Sequence, residues 1–273
     1  MVPRDPRLTP TDRPANQGNE MIDPLARFRL DDRVAIITGG SRGLGREMVH
    51  AFASVGCNVV IASRKIENCQ ALAVEVEERF GVAAVPYACN VGNWEELGPL
   101  VDAVYERFGK ADVLVNNAGM SPLFDSIEDI SEALYDKVFA VNLKGAFRLS
   151  ALVGSRMAAL DGGSIINVSS GAAVNSQPHI VPYAAAKAGL NSITVGFART
   201  FGPKVRVNCI MAGPFLTDIS KAWDLEAFHA RAAENFALGR GGQPNEIVGA
   251  ALYFASDASS FTTGSVLAVD GGL

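Results

Sequence analysis

The amino-acid sequence predicts an α/β fold, in which a doubly wound parallel sheet is flanked by helices. From Leu30 onward, short apolar runs alternate with longer helical patterns, which is the order of βαβ units. The short runs are almost continuously apolar, as in residues 59–62, and this is typical of strands covered on both faces. A glycine-rich turn also separates the first apolar run from the first helical pattern, as in dinucleotide-binding folds.

The elements follow in chain order. The strand candidates are residues 33–38, 58–62, 83–88, 112–116, 164–168, 204–209 and 265–269. The helical candidates are residues 44–55, 65–80, 93–108, 131–160, 183–201 and 244–256. Right-handed crossovers bring the carboxyl ends of the strands to one edge, where ligands of such sheets bind. A length of 273 residues suits a single domain of this class.

The N-terminal segment has a different composition from the rest. Residues 1–29 contain five prolines, mixed charges and few apolar residues. Such a segment buries too little apolar surface to pack. We therefore expect a flexible extension over residues 1–29, with an arm that bridges subunits as the alternative, and one domain over residues 30–273.

Composition excludes several classes of partner. The formal net charge is −5 and the sequence pI is about 5.3, which argues against a nucleic-acid surface. The four cysteines and three histidines lack metal-ligand spacing, so we expect free thiols, no metal and a reducing cytoplasm. No apolar run approaches the ~20 residues that cross a bilayer, and we expect no membrane association.

The glycine-rich turn reads T-G-x-x-x-G-x-G, which is neither G-x-G-x-x-G nor a P-loop. Its small residues allow a tight turn and let a pyrophosphate approach a helix N-terminus. The residues expected to hold a dinucleotide here are Thr38, Gly39, Ser41, Arg42, Gly43, Leu44 and Gly45.

A tyrosine and a lysine form the second motif. Tyr183 and Lys187 are spaced i and i+4 and therefore share one helix face. A phenol has a pKa of ~10, and an adjacent ammonium group lowers the pKa towards useful acid–base chemistry. Ser170, thirteen residues before Tyr183, follows a strand candidate and could hold a substrate oxygen.

With Asn116-Asn117-Ala118-Gly119 and Asn142, these motifs resemble the short-chain dehydrogenase/reductase family over about residues 30–273. The resemblance implies a Rossmann-type single domain with Tyr183 as the acid/base at the substrate oxygen. It also implies that Lys187 lowers the pKa of Tyr183 and binds the nicotinamide ribose. Ser170 would orient the substrate carbonyl, and Asn142 would hold a water that connects Lys187 to solvent.

The cofactor prediction depends on the end of the second strand. Ser63 and Arg64 stand there without a carboxylate until Glu67, and an acid at this place would repel a 2′-phosphate. Arg42 and Arg64 offer planar donors that suit phosphate. We therefore predict NADP(H), with NAD(H) as the less favoured cofactor.

The resemblance assigns further residues to the cofactor. They are Asn90 and Val91 beside the adenine, Asn116, Ala118 and Gly119 on the adenosine side, and Gly213, Pro214 and Thr217 near the nicotinamide. The asparagine pair could instead tie neighbouring strand ends together, and both roles remain open. Gly213 and Pro214 stand in the reverse of the family's order, so we expect different φ demands in this turn.

The sequence thus predicts hydride transfer between NADP(H) and a ketone or secondary alcohol, similar to 3-oxoacyl carrier-protein reductases and sugar-acid dehydrogenases. The alternatives are a catalytically silent nucleotide-binding regulator, an NAD-dependent alcohol or sugar-acid dehydrogenase, a nucleotide-sugar epimerase or dehydratase, and a hydrolase using His179. No residue pattern specifies the substrate. The resemblance implies that the apolar helix at 245–256 and the last strand pack against the same elements of another subunit across a two-fold axis. The helices at 93–108 and 131–160 would supply a second two-fold interface, so we expect a homotetramer.

Overall fold

The computed structural model describes residues 23–122, 124, 126–218, 220 and 223–273. Most of the predicted extension, residues 1–22, lies outside the described residues. Its last part contains a short 3₁₀ helix, Ala26–Phe28. The Arg27 guanidinium donates hydrogen bonds to the Asp257 carbonyl oxygen at 2.8 Å and to Ser260 Oγ at 2.9 Å. This part is thereby attached to the C-terminal region, and the boundary at residue 30 stays a prediction.

Seven parallel strands form one sheet. They are β1 (Val34–Thr38), β2 (Asn58–Ser63), β3 (Ala84–Ala88), β4 (Val113–Asn116), β5 (Gly163–Ser170), β6 (Val205–Ala212) and β7 (Val266–Val269). Their order in the sheet is β3-β2-β1-β4-β5-β6-β7. The order reverses between β1 and β4, and the carboxyl ends of these two strands border the crevice where such sheets bind ligands. The predicted doubly wound, single-domain fold is confirmed.

Eight α-helices lie within the described residues, and all but α4 and α7 contribute side chains to the hydrophobic cores on the two faces of the sheet. They are α1 (Gly43–Ser54), α2 (Ile66–Phe80), α3 (Trp94–Phe108), α4 (Glu132–Phe139), α5 (Gly145–Ala159), α6 (Val181–Phe201), α7 (Leu225–Asn235) and α8 (Val248–Ala255). The helix predicted over 131–160 is wrong as a single element, because a π-helical turn, Ala140–Lys144, separates α4 from α5. Helix α7 lies in a segment for which no bounds were predicted.

The strands are apolar throughout because both of their faces are covered. Ala35 and Ile37 of β1 face one hydrophobic core, which also contains Phe52 of α1 and Phe254 of α8. Val34 and Ile36 face the second core, which contains side chains from α3, α5 and α6. The alternation of β1 side chains between two cores follows from the pleat, in which successive residues point to opposite faces.

A third hydrophobic cluster lies apart from both cores. It consists of Phe228, Ala232 and Phe236 with the partly buried Leu216 and Trp223. It joins α7 to the loop that follows β6, and we call the described residues between 213 and 242 the lid segment. In the described part of the chain, no helix is long and apolar enough to span a membrane.

Candidate active site

The glycine turn between β1 and α1 is shaped by close approaches. Gly39 and Gly43 have φ values of +64° and +53°, which side chains rarely adopt. A Cβ atom on Gly45 would lie 2.3 Å from the Gly39 carbonyl oxygen. Arg42 is the N-cap of α1 and makes no side-chain capping bond, so the first N–H groups of the helix lack a side-chain partner there. This cradle fits a pyrophosphate at the N-terminus of α1.

Thr38 joins the glycine turn to the end of β4. Its hydroxyl donates to the Val115 carbonyl oxygen at 3.1 Å and accepts from the N–H groups of Asn117 at 3.0 Å and Ala118 at 3.2 Å. The Asn117 amide nitrogen donates to the Thr38 carbonyl oxygen at 2.9 Å. Asn117 was missed as a candidate from the sequence, although its neighbours were chosen. The asparagine pair itself was the available signal.

The Asn116 side chain is buried and forms hydrogen bonds with other side chains of the protein. It is 4% exposed, and its amide nitrogen donates to Asn167 Oδ1 at 2.9 Å and Ser150 Oγ at 3.0 Å. Asn167 in turn donates to Thr194 Oγ1 at 2.8 Å. These bonds connect β4, β5, α5 and α6. The tie between neighbouring strand ends is thus present, and the predicted place of Asn116 on the adenosine side of the cofactor stays a prediction.

Three of the four predicted catalytic residues converge at the end of β5. Ser170 is the last residue of β5, and its hydroxyl lies close enough to the Tyr183 hydroxyl, in the first turn of α6, to lower the pKa of that group. It also accepts from the Ala172 N–H at 3.2 Å. Lys187 Nζ lies 5.7 Å from the centroid of the Tyr183 ring and donates to the Val168 carbonyl oxygen at 2.8 Å. The serine, the tyrosine and the lysine therefore form one cluster.

The fourth predicted residue, Asn142, lies in the π-helical turn. Its Oδ1 accepts from the Met120 N–H at 3.1 Å, and its Nδ2 donates to the carbonyl oxygens of Met120 at 2.8 Å and Val138 at 2.9 Å. A Cβ atom on Gly119 would lie 3.1 Å from Asn142 Oδ1 and 3.6 Å from Lys187 Nζ. Gly119 thus stands between the two side chains. The water relay between them stays a prediction.

Burial dominates the ionisation of the cluster. It raises the pKa of the Tyr183 hydroxyl, and the nearby Ser170 hydroxyl offsets part of that rise. Burial also lowers the pKa of Lys187 to about 8. The lowered tyrosine pKa expected from the sequence is therefore not the direction seen here. The physical reason is that burial of the Tyr183 hydroxyl disfavours its charged form more than the nearby Ser170 hydroxyl favours that form.

The outer part of the candidate site adjoins β2 and β3. Ser41 Oγ donates to Ser63 Oγ at 3.0 Å, which joins the glycine turn to the end of β2. Arg42 and Arg64 are exposed, and their guanidinium groups make no hydrogen bond or ion pair with any described residue. Asn90 Oδ1 accepts from the Gly92 N–H at 3.1 Å. Arg64 and Asn90 line a cleft of about 470 Å³.

The Gly213–Pro214 turn contacts the last strand. The Gly213 N–H donates to the Val269 carbonyl oxygen at 2.9 Å, and a Cβ atom on Gly213 would lie 2.5 Å from Asp270 Cα. The φ of Gly213 is not in the left-handed region. Close packing against Asp270 is therefore what requires the glycine, and the difference in φ demands from the family's order stays a prediction. The Thr217 side chain lies 3.6 Å from where a Cβ on Gly43 would stand, beside the glycine turn.

A small apolar cavity of about 10 Å³ lies against Tyr183. Its lining includes Phe124, Ile130, Leu134, Val138, Ile180 and Pro182. None of the described residues that line it carries a formal charge at neutral pH. His179, the base considered for a hydrolase, is exposed, and the Ser170 hydroxyl accepts from the Ala172 N–H rather than bonding to His179.

A doubly wound sheet with a glycine cradle at its switch point and a Ser–Tyr–Lys cluster beside it defines the class of dinucleotide-binding oxidoreductases. Residues 39–273 match the family described as enoyl-(acyl carrier protein) reductase. The 3-oxoacyl-[acyl-carrier-protein] reductase of Thermotoga maritima is 36% identical over 90% of this chain and 99% of its own. The D-threitol dehydrogenase of Mycolicibacterium smegmatis is 36% identical over 90% of this chain and 94% of its own.

Solved structures agree with these matches. A gluconate 5-dehydrogenase from Burkholderia cenocepacia, in complex with NADP and tartrate, has a TM-score of 0.86, 34% identity and coverage of 91% of this chain and 98% of its own. A 7α-hydroxysteroid dehydrogenase with NADH has a TM-score of 0.86, 32% identity and coverage of 91% and 96%. The chain belongs to the short-chain dehydrogenase/reductase family and is an NAD(P)-dependent oxidoreductase acting on CH–OH groups.

Proposed function

We propose that the chain transfers a hydride between NADP(H) and a ketone or the matching secondary alcohol. The observation that carries the proposal is the convergence of Ser170, Tyr183 and Lys187 at the end of β5, beside an apolar cavity. When bound, the nicotinamide supplies or accepts the hydride. Tyr183 gives a proton to the carbonyl oxygen during reduction and takes one from the alcohol during oxidation.

The other residues of the cluster support this proton transfer. Ser170 donates a hydrogen bond to the substrate oxygen and stabilises the negative charge that develops on it. Lys187 holds the nicotinamide ribose and keeps a positive charge near the tyrosine, because a pKa of about 8 leaves it mostly protonated at pH 7. Asn142 Oδ1 has a second lone pair available for a water beside Lys187.

The preference for NADP(H) is supported by two arginine side chains that have no partner within the described part of the chain. Apart from Arg42, Arg64 and Arg199, every described arginine makes a side-chain hydrogen bond, an ion pair or an aromatic stacking contact. Arg42 and Arg64 are neighbours of the bonded pair Ser41 and Ser63. Guanidinium groups left without partners at this place are suited to a phosphate.

The cofactor preference is tested by titrating NADPH and NADH into the protein. We expect tighter binding of NADPH, and equal or tighter binding of NADH would overturn the preference. Arg64→Asp should shift the preference towards NADH by replacing attraction with repulsion. Arg199→Asp makes the same charge change in α6 and should leave the ratio of the two affinities unchanged.

The proton-transfer role is tested by Tyr183→Phe. This variant should lose turnover by about 10³-fold or more, while NADPH affinity stays within about twofold, since only the transferable proton is removed. Lys187→Ala should weaken both, because it also removes the ribose contact. Ordinary turnover by Tyr183→Phe on a working substrate would contradict the mechanism.

Two alternatives remain distinguishable by experiment. The relative solved with NADH favours an NAD-dependent alcohol dehydrogenase as the second candidate, and the titration above separates it. A catalytically silent regulator would bind the nucleotide without turnover across a panel of ketones and secondary alcohols.

We further propose a homotetramer, as predicted from the sequence. Val266 and Leu267 of β7 are each 39% exposed, and Phe261 beside this strand is fully exposed. Apolar surface of this kind on an edge strand is commonly buried by a second copy across a two-fold axis. The cytoplasmic location stays a prediction from the sequence.

A further inference from the structure

The cations without partners are concentrated in one region. Among the described lysines, Lys110, Lys187 and Lys204 each bond to a protein oxygen. The described lysines and arginines whose side chains make no hydrogen bond, ion pair or ring contact are Arg42, Arg64, Lys65, Lys137, Lys144 and Arg199. All of these except Arg199 belong to the glycine turn, the end of β2, or residues 136–144 of α4 and the π-helical turn, which we call the α4–α5 wall.

Three of these cations, Arg64, Lys137 and Lys144, line the cleft of about 470 Å³. One wall is formed by Arg64 and Asn90 at the ends of β2 and β3. The opposite wall carries Lys137, Val141 and Lys144, which follow one another along one side of α4 and the π-helical turn. The two lysines therefore face the cleft from the side opposite Arg64, and neither was recognised as a site residue in the sequence.

The charge of the cleft favours an anion. Asp136 is the only carboxylate among the described lining residues, against Arg64, Lys137 and Lys144. Concave surfaces lined by one sign of charge concentrate the field and raise the local population of oppositely charged ligands. A phosphate monoester near pH 7 carries about −1.5 to −2 charges, more than the carboxylates or ribose hydroxyls that could occupy the same place.

We propose that Lys137 and Lys144 are specificity-determining residues that bind the 2′-phosphate end of the cofactor together with Arg64. This inference rests on the proposed function, since it takes NADP(H) as the ligand. Discrimination between the two cofactors is thereby shared between the end of β2 and the α4–α5 wall. Their charges act on a ligand seated between the walls, so both lysines contribute to affinity without touching the reacting atoms.

Calorimetric titration of the full chain with nucleotide fragments tests this without turnover. The probes are adenosine 2′,5′-bisphosphate and adenosine 5′-monophosphate, which differ only in the 2′-phosphate. The double variant Lys137→Ala/Lys144→Ala should weaken bisphosphate binding by about fivefold or more, with monophosphate affinity within about twofold of wild type. It should also bind the bisphosphate with a shallower dependence on salt.

Two further variants sharpen the test. The double variant Lys137→Arg/Lys144→Arg keeps the charges and should retain bisphosphate affinity, which separates charge from side-chain packing. Arg199→Ala removes a partnerless, exposed cation outside the cleft and should change neither affinity.

Failure of the inference and failure of the proposed cofactor give different results. If wild type prefers the bisphosphate and the alanine double variant keeps that preference, only the role of the lysines is overturned. An equal loss for both probes also overturns it. If wild type binds the two probes equally, the proposed preference for NADP(H) is overturned, and so is this inference.

Discussion

Lys187 is a cationic side chain held almost completely inside the protein. It is 4% exposed, and burial lowers its pKa from 10.5 to about 8. A lysine whose pKa is lower in the folded state opposes folding while it is charged. That penalty is fully present below pH 8 and disappears as the pH rises towards 10.5, because the unfolded chain then holds the extra proton. At about 1.4 kcal/mol per pKa unit, the penalty is about 3 kcal/mol.

Lys187→Met isolates this effect. We expect the free energy of unfolding of wild type, relative to that of the variant, to rise by about 3 kcal/mol between pH 7 and pH 10.5. Denaturant unfolding of both proteins at the two pH values measures the difference, in which the titration of shared groups largely cancels. A difference that does not change with pH would show that the lysine is not desolvated as described.

At the residue scale, sequence spacing is sufficient to predict which side chains lie together when they belong to one helix. Tyr183 and Lys187 were chosen from their i, i+4 separation, and the structure places them one turn apart on α6. It was not sufficient for Asn116 and Asn117, since the two point to opposite sides at a strand end. The register pairs Asn116 with Asn167 of β5, and only this tertiary pairing sends the Asn116 amide into the core.

The glycine turn has no room for an added side chain at Gly45. In Gly45→Ala, the new methyl group would lie 2.3 Å from the Gly39 carbonyl oxygen and 2.6 Å from the Asn117 amide nitrogen. The turn must therefore shift, and we expect a loss of about 2 kcal/mol or more in the free energy of unfolding. NADPH affinity should fall as well, because the displaced backbone forms the proposed pyrophosphate cradle. Thermal melting and cofactor titration measure the two effects.

Gly196→Ala is the matched control for this prediction. A Cβ atom at Gly196 in α6 would meet nothing within 4 Å. The change should stabilise the protein by up to ~1 kcal/mol, because alanine has the higher helix propensity. If both alanine variants melted like wild type, the close approach at Gly45 would not constrain the turn.

At the element scale, hydrophobic periodicity located every strand of the sheet, with starts within one residue of those observed. It failed at the junction of α4 and α5, because the apolar pattern continues through the π-helical turn. At this junction, Gly145 lies against the loop that follows β3, and an added Cβ atom would lie 2.2 Å from the Val91 carbonyl oxygen. The amide of Asn142 also bonds to Met120. Such contacts between distant segments leave no signal in local periodicity.

For the whole molecule, the proposed tetramer makes a prediction about mass. Light scattering at micromolar concentration should return four times the chain mass of 28.8 kDa. Leu267→Glu places a charge on the exposed face of β7 and should yield smaller species. Val74→Glu makes the same kind of change at a 55% exposed position on α2 and should not. A wild-type mass near that of one chain would contradict the proposal.

The separation of the third hydrophobic cluster from the two cores has a consequence for local unfolding. Two hydrogen bonds hold the lid segment in place. The Gly242 N–H donates to the Pro214 carbonyl oxygen at 3.0 Å and joins the two ends of the segment, and the Leu238 N–H donates to the Gly271 carbonyl oxygen at 2.9 Å. Between these ties, α7 is held chiefly by Phe228, Ala232 and Phe236. Detaching it exposes neither core, so its opening costs less free energy than global unfolding.

Amide hydrogen exchange should therefore show two stability levels in one chain. The amides of α7 are expected to exchange through a small opening, with little dependence on denaturant. Those of β1 and β4, buried between the cores, should exchange only when the whole molecule unfolds. Equal protection of α7 and β1 would mean that the lid segment and the sheet form a single cooperative unit.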